Sequence, residues 1–137
     1  MRPPLEVITR YVQGLRDQLR LQAWDIDVSE KPPEDDDCEA QINPSEQRWM
    51  AVLFIADSMF DQLPEDQRIY FVHELLHLTH AAADQVIRLG EWRHQVGQAL
   101  YDQVVGDFKR EIERMVDFNA RLIAPRCPLP PWTEPSA

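Results

Sequence analysis

Two histidines and a glutamate stand in this chain with the spacing of a metal site. The run Val72-His73-Glu74-Leu75-Leu76-His77 has histidines four residues apart and a carboxylate directly after the first. Residues four apart on a helix project from nearly the same face, so His73 and His77 can bind one ion. Glu74 lies at the edge of that face, where it can take a proton from a metal-bound water. The pattern predicts metal-assisted hydrolysis with zinc as the metal.

The motif falls within a predicted helix. A proline and two acidic residues at 64–66 suit a helix N-terminus, and helical periodicity then continues to Leu89. Two helical histidines that face solvent are the alternative interpretation, and Glu74 beside them favours the metal site. The histidines lie opposite an apolar arc, which consists of Phe71, Val72, Leu75, Leu76, Leu78 and Ala82.

A catalytic zinc generally takes three protein ligands and leaves one position for water. The candidates for the third ligand are His80, His94, Glu111 and Glu113. His80 lies about 10 Å from His73 along an unbroken helix, so we interpret it as a polar neighbour on the side of the cleft or as an exposed residue. His94 lies in a predicted turn or helix start and is a weaker candidate, as a ligand or as a group that polarises the substrate.

The two glutamates belong to another predicted amphipathic helix, from Asp107 to Ala124. Glu113 falls at the border of its apolar face, and Asp117 follows one turn later on the same side. Glu111 borders the other edge and has no second carboxylate one turn later. Helix geometry alone leaves both glutamates open. The apolar residues that define this helix are Phe108, Ile112, Met115, Val116, Leu122 and Ile123.

The pair of motifs, His73-Glu74-x-x-His77 and Glu113-x-x-x-Asp117, resembles the gluzincin zinc metallopeptidases, in the small form that prokaryotes and phages encode. The resemblance covers roughly half of the chain. It implies Zn²⁺ bound by His73, His77 and Glu113, with Glu74 as the general base acting on a peptide or protein substrate. It also implies that Asp117 orients a ligating histidine, as carboxylates behind metal ligands do.

Two alternatives share these residues. One is a regulatory protease dedicated to a single protein partner, as in similar small proteins that cleave a repressor. The other is a non-enzymatic protein that keeps zinc for stability or assembly. Replacement of Glu74 by glutamine separates them, because only an enzyme loses turnover while it keeps its metal.

The elements before the motif must form its scaffold. Apolar periodicity predicts a first helix from about Pro4 to Leu21, and alternating patterns predict strands at Trp24–Val28 and Ala40–Ile42. A turn is expected at Asn43–Glu46. The apolar run Trp49–Ile55 predicts a third strand, and the resemblance implies that this strand binds extended peptide at its edge. A buried central strand is the alternative for that run.

Between the two site helices, Glu91–Val105 has a helical pattern that Gly97 and Gly106 weaken or divide. Tyr101 in this segment is a candidate to donate a hydrogen bond to the oxyanion formed on water attack. A tyrosine packed between helices is the commoner explanation. The end of the chain carries five prolines over residues 125–137 and is expected to be an extended or disordered tail that could fold over the surface through Trp132.

These elements predict a single α+β domain over residues 1–124, followed by the proline-rich C-terminal tail 125–137. Its zincin-like arrangement consists of an N-terminal helix, a small, mostly antiparallel three-stranded sheet, the motif helix and the C-terminal helix that bears Glu113. A chain of 137 residues, 44% of them hydrophobic, is long enough to bury a core.

The charge and composition of the chain disfavour some classes of binding partner. The chain has 14 basic and 24 acidic residues and a net charge of −10, which argues against a nucleic-acid partner. Three arginines at 110, 114 and 121 share one side of the last helix and are best explained as a solvated face. The acidic run at 34–37 lacks the spacing of a calcium loop.

The sequence also lacks signals for a membrane or an oxidising compartment. No apolar run reaches the roughly 20 residues that cross a membrane, and the first residues do not resemble a signal peptide. Cys38 and Cys127 are expected to be reduced and incidental. We therefore expect a cytoplasmic protein with no membrane partner, and the patterns do not predict its oligomeric state.

Overall fold

The computed structural model describes residues 1–45 and 48–133. Within these residues the chain forms four α-helices and three β-strands, so the expected α+β class is confirmed. Short 3-10 helices occur at Asp57–Asp61, His77–His80, Glu91–His94, Ala124–Arg126 and Pro131–Thr133. The main elements, in chain order, are α1 (Leu5–Gln18), β1 (Asp25–Val28), β2 (Ala40–Pro44), β3 (Met50–Ile55), α2 (Pro64–Leu76), α3 (Ala81–Leu89) and α4 (Gln98–Ile123).

The sheet is mixed and has the strand order β1-β3-β2. β1 pairs with β3 in parallel, whereas β2 pairs with β3 antiparallel, so the sheet is not mostly antiparallel. The apolar strand β3 is central and both of its edges are paired, so the expectation that it would bind peptide at its edge is wrong. β2 also continues through Asn43 and Pro44, where a turn was expected; Glu46 lies outside the described residues.

The core lies between the sheet and the helices α1 and α2. α1 buries one face completely, through Ile8, Val12 and Leu15. α2 contributes Phe71 and Leu75 to the same cluster, which also contains the buried side chains of β3. Each large apolar side chain buried in this way contributes about 1.5–3 kcal/mol. This packing fixes the face of α2 that turns inward and leaves its histidine face outside the core.

The proline-rich end of the chain packs on this core. Trp132 Nε1 donates a hydrogen bond of 2.8 Å to Oε1 of the buried Gln67, and its ring lies edge-on to Tyr11 and Phe71. Tyr11 Oη donates to the carbonyl of Pro128 at 2.7 Å. The described part of the tail, 125–133, is therefore ordered against α1 and α2, and the expectation of disorder is wrong for it.

Two predicted helices have different bounds. The helix expected to reach Leu89 without a break ends at Leu76, and a 3-10 turn at His77–His80 separates it from α3. The pattern at Glu91–Val105 divides before Gly97, but α4 then runs through Gly106 for 26 residues. A Cβ at Gly106 would meet no atom within 4 Å, so the glycine lies on an open helix surface.

The two cysteines are free, as expected, and Cys127 is buried.

Not all apolar residues of α4 face inward. Val116 is fully buried, whereas Met115 and Leu122 are exposed, so the buried face of α4 is narrower than its sequence pattern suggests.

Candidate metal centre

The candidate site forms where α4 packs against α2. His73 lies in the last turn of α2, and His77 begins the 3-10 turn that follows. Their ring centroids are 5.0 Å apart, so the two imidazoles adjoin one another as the helical spacing predicts.

Glu113 of α4 contacts both histidines. Its Oε1 lies 2.8 Å from His77 Nε2, and its Oε2 lies 3.2 Å from His73 Nε2. The Nε2 atoms of both rings therefore converge on a single carboxylate. Two imidazole nitrogens and one carboxylate at a common point are a donor set that catalytic zinc sites use.

Asp117 lies one turn further along α4. Its Oδ1 is 3.9 Å from His73 Nδ1, the ring nitrogen that points away from Glu113, and this distance exceeds that of a hydrogen bond. Its Oδ2 accepts a hydrogen bond of 3.1 Å from Arg121 Nε. Asp117 is thus beside the ring that it was expected to orient, and a small movement would bring it into contact.

Glu74 is the second carboxylate of the site. His73, Glu74 and His77 each offer one ligand atom, these atoms lie within 4.8 Å of one another, and the group can hold a metal ion. Glu74 Oε2 accepts a hydrogen bond of 3.0 Å from the backbone N–H of Ile42 in β2. Burial raises the pKa of Glu74 to about 8; the Ile42 N–H opposes this shift, and the negative charge of Glu113 adds to it.

The two glutamates differ in how they are held. Glu113 reaches both Nε2 atoms directly through its two oxygens, whereas Glu74 has one oxygen committed to β2. Both glutamates therefore offer an oxygen near the two histidines, Glu74 within the group His73-Glu74-His77 and Glu113 through its two contacts. Glu74 lines the cleft with its Oε2 bonded to the Ile42 N–H.

The electrostatics of His77 favour the form that binds metal. Burial lowers its pKa most, Glu113 raises it, and the neighbouring His73 and His80 lower it. A ligating histidine must be neutral, so a lowered pKa reduces the competition from protons.

The other predicted ligand and catalytic residues lie away from the two histidines. Glu111 is exposed and bonded to Arg114, and His94 is exposed on the 3-10 turn before α4. Tyr101 Oη donates a hydrogen bond of 2.9 Å to the carbonyl of Arg88. None of these three predicted candidates lines the cleft around the histidines, so the structure gives Tyr101 no contact with a reacting group.

The cleft has a volume of about 1010 Å³ and is lined by residues of β2, α2, α3 and α4. The Glu39 carbonyl accepts a bond from the N–H of Ala56, directly after β3, and the Ser45 N–H donates to Met50 of β3. Strand alternation therefore turns the backbone groups of Ala40 and Ile42 toward the other edge, where the Ile42 N–H bonds Glu74. Sequence reasoning missed this edge, because no side-chain pattern marks a backbone donor. It also missed Tyr70 in the cleft wall. Tyr70 stands four residues before Glu74, and this spacing indicates that the two side chains share one face of the helix.

Comparisons of the chain with protein-family models, with curated protein sequences and with solved structures gave no match. Within residues 1–45 and 48–133, no helix has the length and apolar character to span a membrane. A function therefore has to be inferred from the chemistry of the cleft.

Proposed function

We propose that the protein is a zinc-dependent metallopeptidase in which His73, His77 and Glu113 hold Zn²⁺ and Glu74 is the general base. The observation that carries this proposal is the contact of both Glu113 oxygens with the two Nε2 atoms, at 2.8 and 3.2 Å. The donor set fits zinc, because imidazole and carboxylate are ligands that zinc accepts and three of them leave a position for water.

Zinc at this position supplies a water of lowered pKa and a Lewis acid for a carbonyl oxygen. Glu74 is positioned to take the proton of that water. The Ile42 N–H holds its Oε2 at 3.0 Å, and Glu74 lines the cleft. In the zinc-free protein burial raises the pKa of Glu74 to about 8. The positive charge of a bound Zn²⁺ would favour the carboxylate form, which accepts a proton during attack and then donates it to the leaving amine.

The cleft fits an extended peptide. β2 is an edge strand, and Glu74 occupies the outward N–H of Ile42. A peptide can add to the other outward backbone groups of this edge through main-chain hydrogen bonds. A cleft of about 1010 Å³ accommodates several residues of such a peptide. Tyr70 and His80 line its walls and are available as donors to the oxyanion that forms on the scissile carbonyl.

The test compares the wild-type protein with Glu74→Gln for zinc content and for hydrolysis of a broad peptide mixture. We expect about one zinc in both proteins and at least about a hundredfold loss of turnover in the variant. Glu111→Gln is the matched control, because Glu111 lies on the same helix as Glu113 but outside the cleft, and it should leave both quantities unchanged.

The outcomes separate the alternatives. Hydrolysis restricted to one protein partner, still abolished by Glu74→Gln, would support the same site with a narrow substrate. Zinc binding without hydrolysis of any protein or peptide would contradict the enzymatic proposal and favour a structural metal. Full zinc occupancy after loss of both His73 and His77 would overturn the assignment of the ligands.

A further inference from the structure

A second cavity lies at the end of the sheet where β1 and β3 begin. It has a volume of about 530 Å³ and is bounded by the segment after α1, the residues before β3 and the start of α3. Arg20 and Arg48 line it, and its described lining contains no carboxylate. Two arginines among the described lining residues favour an anionic ligand at this cavity.

An aromatic ring is presented beside these arginines. Trp49 lines the cavity and is 63% exposed, although it is a large apolar side chain. Its ring lies edge-on to the buried Trp24, with centroids 5.2 Å apart, and this contact fixes its orientation. A held and exposed tryptophan offers a face on which a planar ring can stack.

The backbone at Arg20 is unusual. After α1 the N–H of Leu21 bonds to the carbonyl of Arg16 and the N–H of Arg20 to that of Asp17, which is the Schellman arrangement that ends many helices. Arg20 has φ 63° there, at the position that glycine usually occupies. The Schellman bonds account for this conformation and hold the backbone of Arg20 at the border of the cavity.

We propose that this cavity binds a small ligand in which a planar aromatic ring carries a phosphate, as in a nucleoside monophosphate. Trp49 stacks on the ring. The guanidinium groups of Arg20 and Arg48 bind the phosphate, because their planar donor pairs match its oxygens. Leu78 and Ala81 supply apolar wall, and the volume lies within the range typical of small-molecule sites. The proposal is independent of the metallopeptidase activity.

The binding test is calorimetric titration of the full chain with adenosine monophosphate, adenosine and inorganic phosphate, each alone. We expect saturable binding of adenosine monophosphate with a dissociation constant below 1 mM, and at least tenfold weaker binding of the other two. Phosphate that binds as tightly as the nucleotide would overturn the stacking role. An acidic aromatic peptide that binds more tightly would overturn the choice of a small phosphate ligand, as would a lack of saturation by the nucleotide.

Three variants locate the site. Trp49→Leu and Arg48→Gln should each weaken binding of adenosine monophosphate at least tenfold. Arg20→Gly should do the same while the melting temperature stays level or rises, because glycine relieves the left-handed conformation; its loss of binding therefore cannot reflect unfolding. His77→Ala should leave binding unchanged, and a loss there would place the ligand at the metal centre and refute the proposal.

Discussion

Replacement of Glu74 by glutamine should change how the stability of the zinc-free protein depends on pH. The folded protein holds the pKa of Glu74 at about 8, whereas its ordinary value is 4.5. Because the folded-state pKa is raised, the contribution of this group to stability is fully present below pH 4.5 and is lost as the pH rises through 8. Glutamine does not titrate and keeps an oxygen for the Ile42 N–H.

In the window between pH 6.5 and pH 8, Glu74 makes the largest contribution to the pH dependence of stability. The pKa of His77 is lowered from 6.5, so its effect has the opposite sign, fades above pH 6.5 and is present in Glu74→Gln as well as in the wild type. The thiol pKa values of Cys38 and Cys127 are raised from 9.0, and that of Tyr11 is raised from 10.0, so they act above the window. At about 1.4 kcal/mol per pH unit, Glu74 should cost the folded state about 2 kcal/mol across the window.

The assay is urea unfolding in the presence of a chelator at several pH values between 6.5 and 8. The wild-type free energy of unfolding should fall by about 2 kcal/mol over this range, and that of Glu74→Gln should stay level. Glu111→Gln, an exposed change on α4, should keep the wild-type slope. A wild-type protein without this slope, or a Glu74→Gln variant that retains it, would refute the account of a buried carboxyl at the site.

Three further predictions concern metal binding and the fold. Glu113→Gln should lower zinc affinity at least about tenfold in a competition titration, with Glu111→Gln unchanged, since only Glu113 contacts the histidines. Trp132→Phe should reduce the free energy of unfolding by about 1–3 kcal/mol, because it leaves Oε1 of the buried Gln67 without its bond, and denaturant titration measures this loss. Gly14→Ala should raise the same free energy by about 0.5–1 kcal/mol, since the position lies inside α1 and a Cβ there meets no atom within 4 Å; a loss of stability would contradict that packing.

The parts of the site that local periodicity controls could be predicted from the sequence. Helical spacing sets the relation of His73 to His77 and of Glu113 to Asp117. The structure keeps both pairs together, with His77 on the 3-10 turn that directly follows α2. The choice of Glu113 over Glu111 depended on the resemblance, because each borders the apolar face. The contact with both Nε2 atoms is a property of packing between α2 and α4 and could not be read from either helix.

Tertiary contacts decided the features that sequence patterns missed. The apolar run of β3 fits a central strand as well as a peptide-binding one, and strand order is set by pairing with distant segments. No glycine or proline marks the 3-10 turn after Leu76. The order of the tail comes from the bond between Trp132 and Gln67, 65 residues apart in the chain. The cavity of Arg20 and Trp49 likewise joins segments that share no motif.

The most direct test of the central proposal is a crystal structure of the zinc-loaded protein, with the metal located by anomalous scattering. We expect one zinc bonded to Nε2 of His73, Nε2 of His77 and a carboxylate oxygen of Glu113 at about 2.0–2.2 Å, with Glu74 outside the coordination shell. Zinc bound through Glu74 instead of Glu113, or no zinc between the histidines, would contradict the account.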